Sequence, residues 1–391
     1  MLNSVETALE NSLTNFQIED DLAPLNFIER NGYYRVGSKN FNFKINALEE
    51  ATKTQTPAEW EFNTSVFKKL NWQVNTNVGL DNLYRMRAQQ LRNKYDYLVL
   101  SFSGGCDSYN VLRSFIDNNI KLDEVICDWP IGYTESNHRT SNNRRAENYL
   151  SEWELAIKPV LKYLSIHHPE IKITTTDTIP KLTNEDSEDT CIITNIHNYI
   201  SVKRWRSILK RYQTLIDKHD KVAIVLGIDK PRVHIEKNIF CVLFSDEPCW
   251  VKSSIAADYT RNIEYFYWTP DLPEIVLEQS HAVYEYLKRH KELLAYLPDG
   301  LLSSRDFISK IIYSKWDPNT FQATKPSSVI NNEHYWWLES QQQTLALQSF
   351  KSSLNSRLSM IDNKYHCPLH LKKFDGFKIL WSRLYPIGKL L

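Results

Sequence analysis

The residues from Leu98 to Ser108 read LVLSFSGGCDS, and the second half of this stretch has the composition of an anion-binding turn. The chain has only 10 glycines in 391 residues, yet Gly104 and Gly105 are adjacent here. Glycines let a backbone approach a ligand closely, and the first amides of a following helix point free N–H groups towards it. Serine hydroxyls and the dipole of that helix add to the attraction for negative charge. The stretch therefore predicts a phosphate-binding loop.

Two common phosphate-binding patterns do not fit this stretch. The P-loop of kinases and GTPases needs GxxxxGK[ST], and no lysine follows the two glycines. The dinucleotide pattern GxGxxG also fails, because the two glycines are adjacent. A glycine turn that serves only packing is the alternative, but packing does not call for an acid and two serines together.

The loop is expected to lie in an α/β fold, because short apolar runs alternate with helical periods from Tyr97 onwards. Strands are predicted at LVLSF (98–102), EVICDW (124–129), IKITTTDT (171–178), KVAIVLGID (221–229) and, as a further strand, 239–244. Helices are predicted directly after the loop, over 141–164 and over 196–218. Alternation of this kind indicates a doubly wound parallel sheet with helices on both faces.

Three regions follow from the changes in pattern along the chain. Residues 1–90 hold short strand-like pieces and a Trp- and Asn-rich stretch, and a small mixed α/β cap is expected there. Residues 91–268 hold the predicted parallel sheet. Residues 269–391 open with an amphipathic helix and are rich in aromatic residues, so a mainly helical region is predicted. The polar stretch 182–190 is expected to be a loop beside the site.

Composition excludes several classes of protein. Lys+Arg and Asp+Glu both number 47, so no global charge attracts a polyanion, and the basic stretch 203–211 has the pattern of a solvated helix face. No apolar run approaches the roughly 18 residues of a membrane span. The six cysteines form no CxxC pair, and no signal-peptide pattern opens the chain. We expect a cytoplasmic protein without membrane contacts or a strong nucleic-acid signal, and homo-oligomerisation is left open.

The residues from Ser103 to Ser108 match SGGxDS in full, and this motif resembles the signature of the PP-loop ATP pyrophosphatases. That superfamily includes the synthetase domain of asparagine synthetases, the 7-cyano-7-deazaguanine synthases and, more distantly, the phosphoadenylylsulfate reductases. The resemblance covers about residues 95–245 and implies a five-stranded parallel sheet of the HUP, or adenine nucleotide alpha hydrolase-like, type. It also implies transfer of AMP from ATP to a substrate oxygen, release of pyrophosphate, and displacement of AMP by a nucleophile.

The resemblance implies ATP and Mg²⁺ as cofactors and gives roles to the loop. The nucleotide-binding residues expected at the first strand and its loop are Ser101, Ser103, Gly104, Gly105, Cys106, Asp107 and Ser108. Asp107 is also expected to lie near the metal and to act in catalysis, because fixed amides and a metal stabilise the charge on departing pyrophosphate. Cys106 occupies the variable position of the motif, and a helix N-terminus is expected to lower its pKa.

The second predicted strand ends in Asp128 and Trp129. Ligands of open α/β sheets bind at the carboxyl ends of the strands, so this end is expected to face the same crevice as the loop. The two residues offer a carboxylate and an aromatic surface where adenosine is expected to bind. The alternative is that Asp128 is only a turn residue.

The fourth predicted strand ends in a glycine followed by an acid and two bases. By the resemblance, Gly227 is expected to contact the nucleotide and Asp229 to contact the metal or the substrate. Lys230 or Arg232 is expected to neutralise the charge of the leaving group in catalysis. A surface turn is the alternative for this segment.

Departures from the better-known branches leave the acceptor substrate open. The first cysteine is Cys106, so we expect no internal ammonia source of the kind that precedes the asparagine synthetase domain. The zinc-binding cysteines of deazaguanine synthases are not visible, and His366, Cys367 and His370 lack a fourth ligand. The catalytic cysteine motif of the reductases is absent, although residues 128–135 faintly resemble part of their sequence. We expect an AMP-forming ligase or synthetase; a non-catalytic protein that retains the fold, or a reductase-like protein, is the alternative.

Overall fold

The protein is described here by a computed structural model. It describes residues 30, 32–42, 44–129, 156–177, 217, 221–246, 263–296, 300–301, 305–315, 356, 359–365, 373–374 and 377–390. Several sequence predictions lie outside these residues, namely the loop at 182–190, the basic stretch at 203–211, the group at 366–370 and, apart from helical Asp217, the helix at 196–218. The side chains of Asp128 and Trp129 also lie outside what the structure describes.

A three-stranded antiparallel sheet and two helices form the N-terminal part. Its elements are β1 (Tyr33–Val36), β2 (Lys39–Phe41), α1 (Lys44–Thr54), β3 (Ala58–Glu61) and α2 (Thr64–Phe67). The strand order is β2-β1-β3, with antiparallel pairing throughout. Burial alternates along β1 and β3, because one face of this sheet packs on the core.

Five parallel strands form the central sheet. They are β4 (Tyr97–Ser101), β5 (Glu124–Trp129), β6 (Lys172–Asp177), β7 (Val222–Leu226) and β10 (Ile263–Tyr265). Their order is β10-β7-β4-β5-β6, and every neighbouring pair is parallel. The central strands are apolar runs because both of their faces are covered, and every residue of β7 is buried. The prediction of an α/β fold with a five-stranded parallel sheet is confirmed.

The strand order reverses at β4. Numbered along the chain, the five strands lie in the order 3-2-1-4-5, so the first strand has the second on one side and the fourth on the other. Connections that leave β4 and β7 in opposite directions open a crevice at their carboxyl ends, where ligands of such sheets bind. The SGGCDS loop (residues 103–108) follows β4 at this position.

Helices precede or follow these strands along the chain. They are α3 (Leu80–Lys94), which leads into β4, α4 (Cys106–Ile116), which follows the loop, and α5 (Lys158–His167). The apolar residues of α4 that were predicted from helical spacing, Val111, Leu112 and Phe115, are buried. The described part of the helix predicted over 141–164 is α5, which runs on to His167.

A second antiparallel sheet begins between β7 and β10 in the chain. It is built from β8 (Arg232–Glu236), β9 (Ile239–Leu243), β11 (Gly300–Leu301) and β14 (Tyr385–Lys389), in the order β11-β8-β9-β14. The strand predicted at 239–244 is β9, and it pairs with β8 and β14 in this sheet. The fifth parallel strand is β10, a three-residue strand that is too short for a periodic pattern to reveal.

The described part of residues 269–391 combines helices with short strands. Besides β11 and β14 it holds α6 (Glu274–Arg289), α7 (Arg305–Ile312), 3-10 turns at Lys291–Tyr296 and Asn363–Tyr365, and the hairpin of β12 (Lys373–Phe374) with β13 (Phe377–Lys378). The amphipathic helix predicted at the start of this region is α6. Among the described residues, no helix has the length and apolar character that crossing a bilayer requires.

A cluster of aromatic rings joins the N-terminal part to the rest of the core. The ring of Phe244 lies 4.5 Å from Phe67, 5.1 Å from Phe62 and 5.1 Å from Trp268, measured between ring centroids. All four residues are buried. Aromatic pairs at these separations stabilise a core beyond the burial of their area.

Candidate functional site

The SGGCDS loop forms the turn from β4 into α4. Gly105 is the N-cap of α4, and no side chain caps this helix end. The amides from Gly104 to Ser108 donate no hydrogen bond to another group in the described part of the chain. Unsatisfied N–H groups and the positive end of the helix dipole make such a turn attractive to an anion.

The two glycines of the loop meet different surroundings. Gly104 has φ +75°, and a Cβ atom there would lie 2.6 Å from Cγ1 of Ile157, just before α5. Gly105 is extended, and among the described residues a Cβ atom on it would meet nothing nearer than the Oγ of Ser103 at 3.7 Å. Gly104 is therefore required by the turn and its packing, whereas Gly105 borders space that a ligand can enter.

The serines of the loop brace the turn. The Oγ of buried Ser108 donates to the carbonyl of Gly105 at 3.1 Å and accepts from the amide of Ser103 at 3.2 Å. The two serine oxygens lie 3.2 Å apart. Ser101, also predicted to bind nucleotide, is the half-buried last residue of β4. The Ser103–Ser108 pair thus holds the loop in shape before any ligand binds.

Lys230 pairs with Asp107 across the crevice. Its Nζ lies 2.5 Å from Oδ1 and 2.6 Å from Oδ2 of Asp107. The Lys230 side chain is 6% exposed and that of Asp107 is 23% exposed, so the cation is the more deeply buried partner. The structure therefore brings together the loop after β4 and the segment after β7, as the sequence predicts.

Gly227 makes this close approach between the two segments feasible. A Cβ atom at Gly227 would lie 3.0 Å from the carbonyl carbon of Asp107 and 3.0 Å from the amide nitrogen of Ser108. A larger residue would push the end of β7 away from the start of α4. The glycine expected at this strand end is thus explained by backbone packing.

Two tyrosines that the sequence did not single out hold Asp107. The hydroxyl of Tyr313, directly after α7, donates to Oδ1 of Asp107 at 2.6 Å. The hydroxyl of Tyr267 donates to the Asp107 carbonyl at 2.9 Å and accepts from the amide of Asn110 at 3.0 Å. Burial, followed by the nearby Asp107 charge, raises the pKa of Tyr313 well above its usual value. Its hydroxyl therefore stays protonated at neutral pH and acts as a hydrogen-bond donor.

Cys106 lies beside the same ion pair. Its Sγ is 3.6 Å from Nζ of Lys230 and 3.2 Å from Oγ of Ser309 on α7. Burial raises the pKa of the Cys106 thiol, and the charge of Asp107 adds to this, while Lys230 opposes it. The expectation of a lowered pKa is wrong, because loss of solvation outweighs the favourable position at the helix end.

Asp229 and Arg232 form a second ion pair next to the first. Oδ2 of Asp229 lies 2.7 Å from the guanidinium of Arg232, and Oδ1 accepts from the backbone amide of Lys230 at 2.7 Å. Asp229 is 4% exposed. These contacts shape the turn that carries Lys230 towards Asp107.

Neither Asp107 nor Asp229, as placed, fits the role of a magnesium ligand. Each carboxylate is neutralised by a cationic side chain, Lys230 for Asp107 and Arg232 for Asp229. Within the described residues, no group of three or more His, Cys, Asp or Glu side chains could hold a metal ion. Mg²⁺ requires several oxygen ligands in octahedral geometry, so Lys230 would have to leave before the ion could bind to Asp107.

The remaining predicted contact lies at the end of β5. The backbone of Asp128 pairs with Thr176 and that of Trp129 with Asp177, so this strand end lies beside the loop that follows the neighbouring β4. Nothing in the chain near the loop signals the contribution of α7, because Tyr313 is 206 residues from Asp107.

A scan against models of protein families finds no match to this chain. A search of curated proteins also finds no match.

Proposed function

We propose that the chain binds the triphosphate of ATP at the SGGCDS loop and transfers AMP to an oxygen of an acceptor substrate, releasing pyrophosphate. The observation that carries the proposal is the uncapped turn of Gly105 and Cys106 at the carboxyl end of the central strand, with the complete SGGxDS motif. The 3-2-1-4-5 strand order supports it, because doubly wound sheets bind nucleotides where that order reverses. We include in the proposal a fold of the adenine nucleotide alpha hydrolase-like type.

The loop amides would bind the β and γ phosphates in this proposal. The amides of Gly105, Cys106 and Asp107 supply fixed donors, and α4 adds its dipole, without a change of shape during the reaction. The Nζ of Lys230 lies 3.6 Å from Sγ of Cys106 at the start of α4 and would neutralise charge on the departing pyrophosphate. Arg232 would act mainly by holding Asp229, and hence the turn that carries Lys230.

The type of loop favours cleavage between the α and β phosphates. No lysine follows the glycines to accompany a γ phosphate in transfer, as one does in kinases and GTPases. A loop that holds the terminal two phosphates through amides is suited to retaining them as a leaving group. Attack on the α phosphate then requires an acceptor oxygen held in line across the crevice, on the side of β5.

Nucleotide binding without turnover is the second candidate function. It is favoured by one observation, the engagement of both Asp107 oxygens by Lys230 and of Oδ1 also by Tyr313. An acid held in this way serves the packing of α7 on the loop. The reductase-like alternative has no such support among the described residues.

Labelled nucleotide distinguishes the two candidates. The protein is incubated with α-labelled ATP and a panel of carboxylate, amide and nucleobase acceptors, and labelled AMP and released pyrophosphate are measured. Acceptor-dependent release of pyrophosphate is expected, in an amount equal to the label carried by the adenylylated acceptor together with any AMP that a nucleophile has displaced from it, and Gly105→Val is expected to abolish both. Steady formation of ADP and phosphate would contradict the reaction class. ATP binding that is lost in Gly105→Val, with no product for any acceptor, would favour the second candidate.

A further inference from the structure

At the SGGCDS loop, the carboxylate of Asp107 would compete with a bound phosphate for the ammonium group of Lys230. Lys230 is nearly fully buried and is engaged by both oxygens of Asp107. Its Nζ is also 3.6 Å from Sγ of Cys106, the first residue of α4. The ammonium group therefore lies at the helix end where the loop amides would hold phosphate.

We propose that Asp107 acts as a gate instead of binding a metal: it holds the ammonium group of Lys230 until phosphate binds at the loop. Phosphate bound at the loop takes the ammonium of Lys230 from Asp107, and Tyr313 keeps the released carboxylate hydrogen-bonded. This inference rests on the proposed function, since it requires the loop to bind the phosphate end of a nucleotide. It assigns Tyr313 as a positioning residue that acts through Asp107.

The electrostatic argument depends on the burial of the cation. A buried ammonium needs an anionic partner, and Asp107 supplies one in the absence of ligand. Phosphate must either displace that carboxylate or bind beside its negative charge, and both reduce affinity. In the absence of metal, Asp107 therefore weakens phosphate binding. A carboxylate that binds a metal ion would instead strengthen phosphate binding when the ion is present.

Tyr313 lowers the cost of the exchange. When Lys230 leaves, Asp107 is a half-buried carboxylate that has lost its cation, and such a group needs donors. The Tyr313 hydroxyl already donates to Oδ1 at 2.6 Å, while Tyr267 and Asn110 fix the Asp107 backbone. Because burial and the Asp107 charge raise the Tyr313 pKa, the hydroxyl stays protonated and keeps donating.

Inorganic pyrophosphate tests the gate directly. Its affinity for the full chain is measured by titration calorimetry with a metal chelator present. We expect Asp107→Asn, which keeps the shape and removes the charge, to bind pyrophosphate about tenfold more tightly than the unaltered chain. Lys230→Gln in the same background is expected to remove this gain. Lower affinity in Asp107→Asn would overturn the proposal.

A double-mutant cycle tests the positioning role of Tyr313. Tyr313→Phe is expected to weaken pyrophosphate binding about threefold in the unaltered chain and to have no effect in Asp107→Asn. Tyr84→Phe is the matched control, because the Tyr84 hydroxyl belongs to the same buried ring cluster but donates to the Ile312 carbonyl. An equal loss for Tyr313→Phe in both backgrounds would show a purely structural role and overturn the assignment.

A loop variant separates failure of the gate from failure of the proposed function. Gly105→Val fills the open side of the loop and is expected to abolish pyrophosphate binding while thermal unfolding stays cooperative. Unchanged binding in Gly105→Val would move the phosphate site elsewhere and defeat the proposed function. Loss of binding in Gly105→Val, combined with weaker binding in Asp107→Asn, would defeat the gate alone. Pyrophosphate that binds to no variant and not to the unaltered chain would count against both.

Discussion

Gly104 and Gly105 are adjacent in the chain but serve different purposes. Gly104 needs the left-handed backbone region and has no room for a side chain beside Ile157. Gly105 has neither restriction, because its backbone is extended and a Cβ atom there would clash with no atom of the described residues. The fold alone thus explains the first glycine, whereas the second is explained by the nucleotide site that we propose at this loop.

Alanine substitutions separate these two roles. Gly104→Ala is expected to lower the free energy of unfolding by about 2–4 kcal/mol, because it adds left-handed strain and a clash with Ile157. Gly105→Ala is expected to change it by less than about 0.5 kcal/mol. Urea denaturation of both variants measures the difference. Equal midpoints would mean that the loop relaxes around residue 104.

The elements that position the loop differ in how well the sequence predicts them. The sequence predicts β4, β5 and β7 well, because they are apolar runs bounded by turn residues. The SGGCDS motif marks the end of β4. β10 has three residues, and β11 has two, so neither carries a period. The contact between Tyr313, directly after α7, and the loop joins residues that are 206 positions apart in the sequence. No local sequence pattern predicts such a contact.

Asp246 joins elements of two antiparallel sheets. Its carboxylate lies 2.7 Å from Nζ of Lys44 at the start of α1 and 3.1 Å from the hydroxyl of Tyr34 on β1. It also accepts from the amide of Leu380 at 3.2 Å. Burial raises the Asp246 pKa, and Lys44 opposes this rise. The carboxylate therefore depends on its partners to stay ionised in the core.

Removing the cation from this junction is expected to be costly. Lys44→Met leaves the Asp246 carboxylate buried without its ion pair, and we expect a loss of about 3–5 kcal/mol in the free energy of unfolding. Lys39→Met is the matched control, because Lys39 is exposed and its pair with Glu50 lies at the surface. Adding Asp246→Asn to Lys44→Met should recover part of the loss. A cost for Lys44→Met no larger than that for Lys39→Met would contradict this account.

At the scale of the whole molecule, one buried carboxylate fastens the edge of the parallel sheet to α3. Glu264 on β10 accepts from Arg87 at 2.8 Å, from Lys94 at 2.7 Å and from the Tyr95 hydroxyl at 2.5 Å. Arg87 is fully buried and also donates to the carbonyl of Tyr265. The strand that the sequence missed is thus held in place by charged side chains of α3.

This network makes the stability of the fold depend on pH. Burial alone would raise the pKa of Glu264, but the charges of Arg87, Lys94 and Arg30 outweigh it and lower the pKa to about 2, from a usual value of 4.5. The folded state therefore holds the ionised form more strongly than the unfolded chain does. The resulting stabilisation is complete above about pH 4.5 and is lost as the pH falls towards 2.

Glu264→Gln is expected to be less stable than the unaltered chain at pH 7 and to lose less stability on acidification. The physical reason is that glutamine has no proton to take up between pH 5 and pH 2, so the slope of the free energy of unfolding against pH becomes shallower there. Urea denaturation at a series of pH values measures both slopes. Glu170→Gln, at a side chain that is 61% exposed, is the control and should leave the profile unchanged. Parallel profiles for Glu264→Gln and the unaltered chain would place the acid sensitivity of the fold outside this network.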